Sequence, residues 1–130
     1  MLLIDNTYIC VLISGTFEDC IEHLVAQRAG RAGDAELRSY VVEEVNQRFR
    51  NPDHGTISRL LKQFSGSYQE SFRAKVSHDS DAASALASII NNKNLLAHEG
   101  TSNLQLTLGD IDTYYRRSIP ILEALEDILL

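Results

Sequence analysis

From Thr7 to Arg28 the chain is apolar nearly all the way round a helix. Tyr8, Ile9, Val11, Leu12, Ile13 and Phe17 cover most of the circumference, and a helix of that kind is buried on more than one side. One side belongs to a core; the other is available to a second copy of the chain. Gly15 falls inside this stretch, at a cost of about 1 kcal/mol relative to Ala. It marks either a close helix crossing or a break.

The rest of the chain repeats the helical period between sparse Gly and Pro residues. "RAGRAGD" (28–34) reads as an inter-helix turn, and less well as a GxxG phosphate loop with Arg28 and Arg31, because no strand flanks it. Asp34 is a suitable N-cap for a second helix to Phe49, striped by Leu37, Tyr40, Val41, Val45 and Phe49. Pro52 disfavours helix at Asn51. Thr56 is a candidate cap for a third helix, with Ile57, Leu60, Leu61 and Phe64 inward. Tyr68, Phe72 and Val76 continue into a fourth after Gly66. Ser77 or Asp79 caps a fifth, with Ala82, Leu86, Ile89 and Ile90 on its apolar side. "TLGD" (107–110) has the form of a capping box with Asp for Glu. The last helix follows, with Ile111, Tyr115, Leu122, Leu125 and Leu129 inward and a kink expected at Pro120. The pattern specifies an all-α protein: an irregular bundle of about five or six helices, in one domain spanning 1–130.

The bulk numbers fit such a domain. At 130 residues, 44% of them hydrophobic, the chain is long enough to fold without staples. Its net charge of −6 argues against broad nucleic-acid binding but leaves room for a local basic site. Cys10 and Cys20 lie about 15 Å apart along one helix, too far for a disulfide, and read as free thiols in a reducing compartment. The N-terminal apolar run has no preceding Lys or Arg and is broken by Asp5 and Asn6, so neither a signal peptide nor a membrane span is expected. A cytoplasmic protein with no membrane partner is the expectation.

"NNKNLLAHEG" (91–100) departs from this pattern. On a helix, Asn91, Asn94 or Leu95, and His98 share one face, while Lys93 falls with Ile89, Ile90 and Ala97. Lys93 and His98 are five steps apart, about 140° around and about 7.5 Å along the axis. They converge only if the helix ends near Ala97 or a second copy supplies its own pair. Polar residues, a cation and Gly100 are also ordinary features of a helix C-terminus. His23, His54 and His78 read as unremarkable, one on a helix face and two in loops. "HEG" is not H-E-x-x-H, and no His, Cys or carboxylate set has metal-ligand spacing, so neither a metal nor any other cofactor is expected.

"KNLLAHEG", with helices before and after it, resembles the signature of the HEPN superfamily, in which an Arg is followed after four to six residues by a His. "FEDCIEHLV", "VVEEVNQRF", the "NP" break, "ISRLLKQF" and "IPILEALEDIL" are similar in order to its RiboL-PSP-HEPN branch. The resemblance implies a homodimer with a metal-independent ribonuclease site at its interface, and a place among toxin–antitoxin or antiviral effectors with RNA as substrate and an antitoxin or other protein as partner. It assigns His98 as general acid or base, Lys93 as the cation on the scissile phosphate, and Asn94 as an orienting group. Two features depart from the signature: Lys93 stands where the family has Arg, and Glu99 separates His98 from Gly100. They keep open an alternative, a catalytically inactive helical dimer that binds RNA or protein.

Overall fold

The computed structural model describes the backbone of residues 6–99 and 107–130, and the side-chain surroundings of 9–94 and 107–130. The described residues form six helices and no strand: α1 (Asn6–Gly30), α2 (Ala35–Arg48), α3 (His54–Phe64), α4 (Gly66–Lys75), α5 (Asp81–Glu99) and α6 (Leu108–Leu129). The fold class is the one expected from the periodicity.

Cys10, Ser14, Phe17, Ile21, Val25 and Ala29 form the buried stripe of α1, spaced three or four apart so that they lie along one side. Helices α2, α5 and α6 all pack on α1; α5 and α6 lie against each other, and the α3–α4 pair closes on them. One core cluster takes side chains from all six helices, including Phe17, Val45, Leu61, Phe72, Leu86 and Leu125. A smaller cluster joins Cys10, Ile89 and Ile111. It brings together the start of α1, the start of α6 and the part of α5 that leads to the polar stretch.

The helix ends follow local chemistry, with two corrections. Asp34 caps α2 through the amides of Glu36 and Leu37, and Thr107 with Asp110 completes the capping box of α6. The cap of α3 is Asp53, whose carboxylate accepts from the Thr56 amide, not Thr56. At α5 the Ser80 hydroxyl accepts from the Ala83 amide at 3.2 Å, while the Ser77 hydroxyl is occupied by Asp79. In both cases several capping residues stand side by side, and the neighbour with the right turn geometry takes the role. Helix α6 runs unbroken through Pro120, with the Ser118 hydroxyl donating to the Tyr115 carbonyl.

Three expected inward residues are exposed. Tyr115 of α6 is 37% exposed, while Ile121 on the same helix is fully buried. Leu37 and Tyr40 are 59% and 65% exposed, because α2 rests on α1 and a groove of about 390 Å³ opens between it and α3. The "RAGRAGD" turn is structural. Arg28 donates to the Tyr68 hydroxyl, and Arg31 donates to the Leu129 and Leu130 carbonyls at 3.1 and 2.9 Å. A cation there meets the negative end of α6, which has no basic residue in its last turn. Gly33 turns the chain at φ 77°.

Two substitutions test this packing. Phe72→Ala empties a fully buried site and is expected to cost about 3–5 kcal/mol in denaturant unfolding. Arg31→Ala is expected to cost about 1 kcal/mol, with partial recovery in Arg31→Lys.

Candidate functional site

The α2–α3 turn is built around Asn51. Helix α2 stops with the Phe49 amide still bonded to the Val45 carbonyl, and the Arg50 guanidinium folds back onto the Asn46 and Phe49 carbonyls at 2.8 and 2.7 Å. Asn51 then takes φ 52°, the left-handed region that Asn tolerates better than most residues. Pro52 is buried, and the Asp53 amide closes the turn on the Asn51 carbonyl at 2.7 Å. Helix α1 reaches the same turn, where the Asn51 amide donates to Glu18 Oε1 at 3.2 Å.

Lys93 comes to this turn from α5. Its ammonium donates to Asn51 Oδ1 at 2.7 Å, in a part-buried contact that spans 42 residues of sequence. The acceptor is a neutral amide, so the ammonium's charge is not cancelled at this contact. Asn92 is engaged with its own helix, donating to the Ser88 carbonyl at 2.7 Å. Asn94 is half-buried one step beyond Lys93, and Asn91 is exposed. Helix α5 continues to Glu99, so the separation of residues 93 and 98 is that of an unbroken helix, about 140° and about 7.5 Å. Termination near Ala97, one of the two routes to convergence, is therefore closed. The side chain of His98 lies outside the described residues.

Asn51 and Glu18 were not among the residues expected from the sequence. Asn before Pro was a visible signal for an unusual turn; its meeting with Lys93 was not, because no local pattern encodes a contact between α5 and the α2–α3 turn. The electrostatics around Glu18 are acidic. The Glu22 carboxyl is raised above its usual value by burial and by the negative charges of Asp19 and Glu18, with Arg50 opposing. Burial also raises the Cys10 thiol, which disfavours the reactive thiolate.

His54 corrects the expectation of a loop histidine. It opens α3 and is 6% exposed, with Nε2 at 2.7 Å from the Val76 carbonyl. A carbonyl only accepts, so Nε2 carries the proton. The ring lies 4.9 Å from Phe72 and meets His78 edge-on at 5.7 Å. A cleft of about 400 Å³ beside it is lined by Asp53, Arg59, His78 and Ser84 among others. His23 and His78 are exposed, on α1 and ahead of α5. Among the described residues, no three His, Cys, Asp or Glu side chains come together as a metal site, and no helix is long and apolar enough to cross a membrane.

The six-helix architecture and the polar stretch on α5 define an all-α domain of HEPN type. The family model described as RiboL-PSP-HEPN matches residues 6–130, and the chain belongs to that family. No curated protein and no solved structure matches the chain.

The raised Glu22 carboxyl has a consequence for stability. The folded state binds this proton more tightly than the unfolded chain, so stability is lost as pH rises through the usual 4.5 and beyond it. Glu22→Gln is expected to raise the melting temperature near pH 7, and the gain should vanish below about pH 4.5. Melting curves of both proteins across pH 3–8 check the sign.

Proposed function

We propose that the protein is a metal-independent endoribonuclease of HEPN type that works as a homodimer of this single domain. The observation that carries the reading is Lys93: a cation at the position of the family's Arg, held at 2.7 Å by a neutral amide on the α2–α3 turn within a chain that matches the family from residue 6 to 130. One His98 takes the proton of a ribose 2′-hydroxyl. The 2′-oxygen bonds to the adjacent phosphorus, the bond from phosphorus to the 5′-oxygen breaks, and the second copy's His98 gives a proton to that 5′-oxygen. The products are a 2′,3′-cyclic phosphate and a 5′-hydroxyl. Lys93 steadies the negative charge that builds on the phosphate, and Asn94 orients it.

Pairing of two copies supplies the convergence that one α5 helix does not allow. A small apolar hollow of about 170 Å³ lies between the starts of α1 and α6, lined by Ile9, Ile13, Leu108, Ile111, Asp112 and Tyr115. Leu108 in its lining is 59% exposed, and Leu12, next to Ile13 in sequence, is 51% exposed. The hollow shares Ile111 with the Cys10–Ile89–Ile111 cluster, and Ile89 lies one turn before Lys93 on α5; this proximity supports the reading that a second copy docks there and brings the two motifs to one interface. The biological role that fits is an effector of toxin–antitoxin or antiviral type in the cytoplasm, restrained by a protein partner.

A second reading is favoured by the acid residues near Asn51. Glu18, Asp19 and Glu22 crowd one part of α1, and Lys lacks the planar fork of Arg. These features suit a catalytically inactive dimer that binds protein or RNA.

The deciding experiment is cleavage of mixed RNA with EDTA present, after light scattering has fixed the oligomeric state. The expected outcome is EDTA-resistant cleavage with cyclic phosphate ends, reduced at least about 10²-fold in a folded His98→Ala variant. A folded dimer that binds RNA without cutting it supports the second reading. Cleavage unchanged in His98→Ala removes His98 from the mechanism.

A further inference from the structure

Lysine and arginine hold phosphate differently. A guanidinium presents its N–H groups in a rigid plane and grips two oxygens at once; an ammonium is a point charge on a flexible stem, free to spin its three donors. Lys93 in this structure is not free. One donor is taken by Asn51 Oδ1 at 2.7 Å, which fixes the direction of the other two. The acceptor itself is immobilised, because Asn51 sits at φ 52° beside buried Pro52. Its amide is bonded to Glu18 and its carbonyl to the Asp53 amide. The same contact orients the Asn51 side chain. An ammonium can only donate, so the atom facing it is Oδ1, and the two N–H donors of Nδ2 lie alongside.

We propose that Lys93 and Asn51 act as one composite clamp for an RNA phosphate, two ammonium N–H donors and the amide N–H donors together standing in for an arginine fork. The clamp rests on the ribonuclease reading for its ligand. Asn51 is then a binding residue of the site, and Glu18 is a positioning residue that holds the turn from behind. The neutral amide is essential to the device: a carboxylate in its place would cancel the charge that the phosphate needs.

A double-mutant cycle tests the clamp. Asn51→Gly removes the amide and keeps the positive φ, which Gly adopts without strain; Lys93→Arg supplies a fork of its own. Affinity is measured by fluorescence anisotropy at fixed salt, with an RNA oligomer blocked at every 2′-position so that it binds without being cut. Asn51→Gly is expected to weaken binding about tenfold in the Lys93 background and less than about threefold in the Lys93→Arg background. Lys93 should also acylate faster in Asn51→Gly, read by mass spectrometry, while the melting temperature stays close to wild type. Equal losses in both backgrounds, or no loss, overturn the clamp and leave the ribonuclease reading standing. Failure of the wild type to bind the oligomer overturns both the clamp and RNA as the ligand.

Discussion

The fold is built on one side of α1, with the α3–α4 pair added through α5 and α6. The buried residues of α1 run from Cys10 to Ala29 in a single stripe, and three other helices lie directly on that helix. Close packing of such a stripe fixes the relative heights of its neighbours, because interior side chains interlock and do not slide. The position of α5 beside α1, and so the height at which Lys93 emerges, is therefore set by Phe17, Leu86 and Ile90 in the common core. The candidate site depends on apolar contacts made one to two turns away from it.

The α2–α3 turn is the second constraint. It carries a left-handed Asn, a buried Pro and a guanidinium folded onto the end of α2. It is also tied to α1 through Glu18 and to α5 through Lys93. A non-Gly residue at positive φ persists where its surroundings over-determine it, and here two other segments, α1 and α5, hold it together with the turn's own Asp53 amide. The turn thereby converts the rigidity of the core into a fixed direction for one ammonium.

Charge sets the character of the surroundings. The chain carries −6 overall, and burial together with the negative charges of Asp19 and Glu18 raises the affinity of Glu22 for its proton. Against that background a lysine held by a neutral amide is a local exception. Its reach is short, about 8–10 Å in physiological salt, so in the proposed ribonuclease it would act on a phosphate already docked and do little to draw RNA from a distance.

The helical class, the order and approximate places of the helices, and the capping box at Thr107 followed from the sequence, because each is encoded within a few neighbouring side chains. The choice between adjacent caps, Asp53 over Thr56 and Ser80 over Ser77 or Asp79, did not, since all have the chemistry and backbone geometry selects among them. Leu37, Tyr40 and Tyr115 carry an inward period and yet face solvent; periodicity states which residues share a face, and only packing states whether that face is covered. In the site, the order Lys93, Asn94, His98 was legible as a local motif. Asn51 and Glu18 were not, because Asn51 meets Lys93, and Glu18 meets Asn51, from other segments of the chain. The sequence by itself determined that α5 ends in a polar motif; the tertiary structure decided what holds its lysine, since contacts between distant segments are set by how whole helices pack.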